Sequence, residues 1–459
     1  MEKIKDNIDK VVQAIKMMYK VKKSSIFIFM LSELLKSIMP FTTILLMARI
    51  VSELEINAPV ESVIKTVIIG AAIIFIIGIF SAIAEKYALQ STEYSFQAFR
   101  QMKGEVALNL DYQQLISADT KRLRTRITQE NSWGAGYYTL VTVYRNTCKN
   151  LFSLIIAIII IIPLFSTVGE IMNFTVLSLL LFFNFNVISA ILTSRFRNKK
   201  INNSYKLFDN FSSNLPLLFH FIYYKGLKYS NGKDIRIFKA QSLISSHTNA
   251  LHNEHQQSFS KVGRMQSSGY ALHLAVTILI QGTAYLFVAI QAINGLIDIG
   301  SVIKYAGSIF QFSVAFSGLL AMLSQFVLVC GRFTSTIDFF NIPEIMYKGS
   351  LPIEKRRDNE YEIEFKNVSF KYPGSDEYAL KNFSIKFKIG QRLAIVGMNG
   401  SGKTTMIKLL CRLYDVTDGE ILLNDVNIKK YDYHEYISIF SVVFEFLKQN
   451  TFSICVKDL

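Results

Sequence analysis

Eight residues of this sequence have the types and spacing to hold a phosphate: Gly397-Met398-Asn399-Gly400-Ser401-Gly402-Lys403-Thr404. They fit G-x-x-x-x-G-K-[ST], the pattern of a phosphate-binding loop. Glycines let the backbone curl until successive N–H groups point at one anion. A helix starting at the loop adds its positive N-terminal end. Lys403 supplies a point charge for the outer phosphates of a nucleoside triphosphate, and the Thr404 hydroxyl is of the kind that sits on Mg2+. Thr405 extends the candidate site by one residue.

Such a loop needs a strand before it and a helix after it. Arg392-Leu393-Ala394-Ile395-Val396 reads as a short buried strand, and Thr405-Met406-Ile407-Lys408-Leu409-Leu410 as a helix with apolar spacing. The surrounding elements extend this. Tyr361, Ile363 and Phe365 alternate, as do Val368, Phe370 and Tyr372, which is strand patterning. Phe383 to Phe387 reads as another strand. Asp418 to Asp425 reads as a turn and a hairpin strand, and Ile437 to Phe444 as a buried strand. Residues 361–459 are thus expected to form the N-terminal part of an α/β phosphate-loop domain. Before them, Asn341-Ile342-Pro343 ends a helix and the polar stretch Gly349–Asn359 reads as a linker, together 341–360.

The first three quarters of the chain are different in kind. Of the 459 residues 51% are hydrophobic and only 19% charged, while the formal net charge is +15. A soluble chain so basic would suggest a nucleic-acid partner. Here Lys and Arg flank apolar segments, which is the pattern of membrane topology. A bilayer-spanning helix needs about 20 largely apolar residues. Six stretches qualify: Ser24 to about Ser52, Thr66–Ala84, Leu151–Gly169, Ile171–Ser194, and segments within Tyr270–Ile297 and Tyr305–Gly331. The first carries Glu33, Lys36, Pro40 and Arg49. Glu33 and Lys36 are three apart and can pair on one helix face; the pair reads either as lining a polar pathway or as lying in a cytosolic extension of the helix. Six spans exclude a soluble nucleic-acid-binding ATPase.

Leu54–Ser62, Ser166–Met172 and Ala292–Gly300 contain no Lys or Arg, whereas residues 1–23, Glu85–Asn150 and Arg195–Gly269 are basic. The basic segments are expected in the cytosol. The two inner segments are long and helical in pattern, over Tyr94–Leu110, Leu207–Tyr224 and Phe238–Leu251. The spans therefore continue as cytosolic helices, with turns near Leu110–Ser117 and Gly226–Gly232. Residues 1–23 read as a cytosolic lead-in, with no cleavable signal peptide. Cys148, Cys330, Cys411 and Cys455 are scattered, so neither a disulfide framework nor a metal site is indicated.

Six membrane helices with long cytosolic extensions, followed by a phosphate-loop domain in one chain, resemble the half-transporters of the ABC exporter family. The resemblance covers residues 24–340 as the membrane domain and 361–459 as an ATP-binding domain. It implies ATP and Mg2+ as cofactors, a cell-membrane protein with its N-terminus and nucleotide domain in the cytoplasm, and a homodimer or heterodimer with another half-transporter. It implies an ATP-driven export of a small molecule, peptide or lipid. Tyr372, 25 residues before Gly397, matches the family's aromatic that stacks on adenine, and an aromatic face suits a base. The segments at Asp111-Tyr112 and Gly232-Lys233-Asp234-Ile235-Arg236-Ile237-Phe238 look like its two coupling regions. Asp418-Gly419-Glu420-Ile421 also matches.

The chain departs from the family in two places. Glu445, after Val443-Phe444, stands where the family has a glutamine that reaches Mg2+ and the attacking water. A carboxylate there could bind Mg2+, but its charge would oppose the γ-phosphate. The signature sequence, the acidic strand with its catalytic glutamate and the switch histidine are not found before Leu459, and His434 reads as a surface histidine. The expectation is therefore of a nucleotide domain truncated in this chain, with ATP binding but incomplete catalysis. The alternative reading is a non-catalytic membrane protein that binds nucleotide weakly and pairs with a complete half-transporter.

Overall fold

The computed structural model describes residues 2–132, 136–169, 184, 187–189, 191–204, 229–293, 295, 297–354, 361–389 and 391–442. The chain divides into two compact units. One comprises Met1–Gly104 and Leu123–Phe340; the other comprises Glu105–Arg122 and Asn341–Leu459.

The first unit is helical. It contains α1 (Glu2–Val21), α2 (Lys23–Glu55), most of α3 (Val60–Asn109), most of α5 (Ala118–Ser132), α6 (Tyr137–Gly169), α7 (191–204), α8 (Tyr229–Ile237), α9 (Gln241–Ile293) and α10 (Ile299–Phe340). Five helices among the described residues, α2, α3, α6, α9 and α10, are long and apolar enough to cross a membrane. They coincide with five of the six expected spans. The remaining one, Ile171–Ser194, lies mostly outside the described residues. At ~1.5 Å per residue, the 50 residues of α3 reach ~75 Å, against ~30 Å of bilayer hydrocarbon. The helix is thus longer than a single bilayer crossing requires. Along the apolar part of α3, Ile68, Phe75 and Phe80 are exposed, as suits side chains whose solvent is lipid.

Residues 1–23 are more than a lead-in. Ala14, Met17 and Met18, at i, i+3 and i+4, put one face of α1 into a core with Val329, Phe333 and Ile337 of α10. Phe99 of α3 stacks on Tyr137 of α6 at 4.6 Å in the same core. The helix α2 runs on through Pro40.

Glu33 and Lys36 do not form an isolated pair. Glu33 is buried and meets Arg145 of α6 at 2.6 Å. Arg145 also meets Glu85 of α3 at 2.5 Å, and Lys36 meets Glu85 at 2.6 Å and Glu33 at 3.6 Å. Ser32 Oγ donates to Glu85. Two cations and two carboxylates thus tie three helices at one level. Arg49, largely exposed, pairs with Glu53 on its own helix.

The second unit is built on an antiparallel sheet of order β2-β1-β3-β4, with β1 Glu362–Lys371, β2 Tyr378–Lys388, β3 Asp418–Leu423 and β4 Val426–Asn427. Ile363, Phe365, Val368 and Phe370 of β1 are buried. The buried positions change from odd to even because Asn367 adopts φ 48° at a register shift between Phe365 and Val368, the mark of a bulge. Gly419 is required beside it: a Cβ there would stand 2.3 Å from the Asn367 carbonyl oxygen. The sheet packs on α11 (Lys403–Leu410) through Met406 and Leu409 and on α12 (Tyr433–Ser438) through Tyr436.

Two expected strands are not observed. Residues 392–396 join no ladder among the described residues, and Leu393, Ile395 and Val396 are exposed at 47%, 39% and 89%. An apolar run becomes a strand only when neighbours pair with it, and the described sheet presents none to it. Ile437 and Ser438 end α12, and residues 439–442 form no strand. The local signal that decides this is Asp432, whose carboxylate accepts from the amides of His434 and Glu435 as an N-cap. Phe444 lies outside the described residues.

Candidate phosphate site

The chemistry suggested by residues 397–405 is set at the start of α11. Gly400 and Gly402 have φ 85° and 88°, a region open to glycine at little cost. A Cβ on Gly402 would also lie 2.7 Å from both the Ala379 carbonyl oxygen and Leu380 Cδ2. The loop is therefore pressed against β2, and only glycine fits at that point. Gly402 is the N-cap and no side chain caps the helix, so the amides of its first turn have no intrahelical acceptor and face an anion's position.

Lys403 folds back over this loop. Its Nζ donates to the carbonyl oxygens of Gly397 and Met398 at 2.7 Å each, and lies 3.5 Å from Ser401 Oγ. The ammonium is held above the curl, on contacts that a phosphate oxygen can replace. Thr404 is exposed, whereas Thr405 is buried. Asn399 and Ser401 are exposed. These residues fit a polyphosphate: flexible glycines, free amides at a helix start, and a cation held by weakly basic carbonyls.

Tyr372 is brought to the same helix. Its hydroxyl is 3.0 Å from Thr405 Oγ1. Its ring meets Phe370 and Tyr414 edge to face at 5.0 and 5.4 Å, and Lys408 Nζ lies 5.3 Å from its centroid. Burial pushes the Tyr414 hydroxyl up to about 12. Lys408 carries no mark in the sequence pattern beyond its position five residues after Lys403, about one and a half turns on, which puts it beside the ring. Glu445 lies outside the described residues. His434 is exposed, as expected, and Cys148, Cys330 and Cys411 are free.

Arg412 is a residue the sequence did not mark. It is fully buried and adopts φ 50° at the end of α11. The Leu413 amide bonds the Lys408 carbonyl and the Arg412 amide that of Leu409, a Schellman ending whose left-handed position usually holds glycine. The guanidinium donates to the carbonyl oxygens of Ile428 and Tyr347 and meets Asp415 at 3.4 Å.

The segment expected at the first cytosolic tip belongs to this unit. Asp111 Oδ2 accepts from the amides of Ile345 and Met346 at 2.8 and 2.9 Å. In the short helix α4 (Tyr112–Leu115), Tyr112 meets Tyr414 edge to face at 5.6 Å, and Gln114 donates to the Pro343 carbonyl. The same Tyr414 touches Tyr372, so one aromatic chain runs from the tip to the edge of the candidate site.

Residues 380–456 match the family described as ABC transporter. Over this segment the chain is similar to an ABC transporter domain. The segment includes the loop and Glu445, and Tyr372 precedes it. The chain is 30% identical over 233 residues to a subtilin transport ATP-binding protein of Bacillus subtilis, covering 50% of this chain and 36% of that protein. It is 41% identical over 128 residues to an ATP-dependent lipid A-core flippase of Haemophilus influenzae, covering 26% and 22%. A flippase of the same description from Wigglesworthia glossinidia brevipalpis is 29% identical over 261 residues, covering 55% and 40%. The chain therefore spans well under half the length of each of these curated relatives. The chain thus joins a segment similar to an ABC transporter domain to five helices, among the described residues, that are long and apolar enough to cross a membrane.

Proposed function

We propose that this chain is the membrane-spanning, ATP-binding subunit of an ABC-type exporter. The observation that carries the reading is the glycine cradle at the start of α11, with Lys403 poised over it, in one chain with five membrane-length helices. ATP supplies the free energy for transport when bound. Lys403 exchanges the carbonyls of Gly397 and Met398 for phosphate oxygens, Thr404 offers its hydroxyl to Mg2+, and Tyr372 offers its ring to the adenine. Gly397, Asn399, Gly400, Ser401, Gly402 and Thr405 shape the cradle. Glu445 is the remaining candidate contact to Mg2+. The unit works as a homodimer or heterodimer of half-transporters, with the N-terminus and ABC transporter domain in the cytoplasm. Relatives named for lipid A-core and for subtilin support an amphipathic lipid or peptide as cargo.

The test is binding of a fluorescent ATP analogue, with Mg2+, to the purified full chain in detergent. Lys403→Ala should weaken it roughly tenfold or more, the scale of losing charge-assisted hydrogen bonds. Equal binding by the variant would overturn the site. The exposure of residues 392–398 favours a second reading, in which the chain binds nucleotide without turning it over and relies on a complete partner. ATP turnover by the chain alone, above the Lys403→Ala baseline, would remove that second reading.

A further inference from the structure

The helices α2 and α3 run side by side in opposite directions. Ser91 Oγ donates to Ser25 Oγ, Ser32 Oγ to Glu85, and Thr66 Oγ1 to Glu53 at 2.8 Å. Between the last two contacts a Cβ on Gly70 would stand 2.1 Å from Leu46 Cδ1, so the helices touch there. Along this part of the seam lies a groove of about 360 Å3. Leu45 and Leu46 wall it on one side and Ile69 and Ile73 on the other, with Thr42 at one end and Thr66 at the opposite end. Leu45, Ile69 and Ile73 are exposed, so the groove opens outward.

The Thr66 end carries a charge pair on the same faces. Thr42, Leu45, Leu46, Arg49 and Glu53 follow at i, i+3, i+4, i+7 and i+11, one face of α2, and Thr66, Ile69, Gly70 and Ile73 repeat the pattern on α3. One oxygen of the buried Glu53 accepts from both Thr66 Oγ1 and Arg49 Nε. The other is buried with no partner among the described residues. The bond to Glu53 uses only Nε of Arg49, whose side chain is 72% exposed. The Nη groups, with the remaining four N–H donors, are left to the mouth of the groove. Arg49 is the only basic residue between Lys36 and Lys65. It stands where the apolar stretch of α2 ends at Ser52 and that of α3 begins at Thr66, the level at which a long cation reaches a membrane–water interface. From Arg49 to Thr42 the groove runs seven residues, ~10 Å of helix rise.

We propose that this groove holds an acyl chain of a membrane phospholipid whose phosphate is taken by Arg49. The guanidinium fork matches two phosphate oxygens at once, and Glu53 with Thr66 positions it. A phospholipid is favoured over a helix from a second copy, because the apolar stretches Thr66–Ala84, Leu151–Gly169, Tyr270–Ile297 and Tyr305–Gly331 contain no acidic residue to bring to Arg49. The site is separate from the phosphate loop and does not depend on nucleotide binding.

Native mass spectrometry of the full chain in detergent tests it, with phosphatidylethanolamine and a diacylglycerol of the same chains as probes. The wild type should retain the phospholipid in preference, and Arg49→Gln should lose roughly tenfold of that retention. Arg49→Lys keeps the charge without the fork and should fall between. Ile73→Trp fills the groove, leaves Arg49 in place and should also lose retention, which separates the groove from a phosphate held on Arg49 alone. Equal retention of the two probes, undiminished retention in Arg49→Gln or in Ile73→Trp, or displacement of the phospholipid by millimolar inorganic phosphate would each overturn the assignment. So would a dimer that both variants weaken while retention is unchanged, which would place a second copy on this face.

Discussion

Arg145 and Arg412 are both nearly or wholly removed from water, at 12% and 0% side-chain exposure, yet their surroundings solve the problem of a buried charge differently. In the helical unit Arg145 is neutralised by two carboxylates, Glu33 and Glu85, from two other helices. In the sheet-based unit Arg412 is satisfied mostly by backbone carbonyls, with Asp415 three residues on. The difference follows from what each unit offers. Membrane-length helices satisfy their own carbonyls, so a cation among them must find side-chain anions. Loops between short strands leave carbonyls free, and an arginine can gather them. The first arrangement ties distant parts of the chain together; the second fixes the end of one helix.

Breaking the first arrangement should have the larger effect. Arg145→Ala leaves Glu33 and Glu85 sharing Lys36 alone. Removing one partner of a buried pair costs about 3–5 kcal/mol. The full chain in detergent should therefore unfold well below the wild type in a thermal scan. Arg49→Ala, whose side chain is 72% exposed, should cost under ~1 kcal/mol. If the two variants melt alike, the network contributes nothing and the comparison fails.

Arg412 carries two roles that a pair of substitutions separates. Arg412→Ala removes the guanidinium from the carbonyls of Ile428 and Tyr347 and keeps a side chain at φ 50°. The expected loss is roughly 3 kcal/mol, from unmet buried acceptors and the space left behind. Arg412→Gly loses the same contacts but relieves the left-handed strain, which is worth ~1 kcal/mol. The glycine variant should therefore melt above the alanine variant; the opposite order would show that the backbone there is unstrained.

The same contrast explains what is legible in the residues alone. Local signals survive folding: the glycines of the phosphate loop, the change of strand parity at Asn367, and the hairpin at Asn424-Asp425. Five apolar helices of membrane-crossing length are also legible, because lipid imposes length and composition on each helix alone, although the helices run on beyond the apolar stretches. What fails depends on neighbours. Glu33 and Lys36 are legible as an i, i+3 pair, but the partner that buries Glu33 is 112 residues away. Residues 392–396 have a strand's composition, but pairing is a property of the sheet and not of the segment. Ile437 to Ser438 turns on the cap at Asp432, a local signal that the apolar run outweighs in a sequence reading. Arg412 resembles a surface cation, since a charged residue carries no mark of the carbonyls that will surround it.

A smaller effect is expected at Gly402, where function sharpens the test. Gly402→Ala forces a Cβ against the Ala379 carbonyl at φ 88°. The strain is about 2 kcal/mol, and it falls on the loop that shapes the cradle. Binding of the ATP analogue should be lost while the overall melting temperature drops only a few degrees. Gly374 provides the control. Its φ is 77°, but a Cβ added there would meet nothing within 4 Å. Alanine at that position carries the backbone cost without the collision, and should leave binding unchanged.

Glu130 tests the comparison from the side of an incompletely paired anion. It lies on α5, outside the membrane-length helices, with Arg126 at 3.1 Å and Ser335 Oγ at 3.2 Å on one carboxylate oxygen. The other oxygen is buried with no partner among the described residues. Burial raises its pKa above the ordinary 4.5, and Arg126 and Ser335 only partly oppose that shift. A raised carboxylate pKa means that the fold prefers the protonated group. Its contribution to stability is then fully present below the ordinary pKa and is lost as pH rises through the folded one. Glu130→Gln, uncharged at every pH, should accordingly match or slightly exceed the wild type at pH 8, by under ~1 kcal/mol after the lost pairing with the exposed Arg126 is allowed for. The advantage should vanish as the pH falls towards 4.5. Thermal scans of the two chains across that range decide it: a variant less stable at pH 8 than at pH 5, relative to the wild type, would mean that Glu130 is held as a well-paired anion.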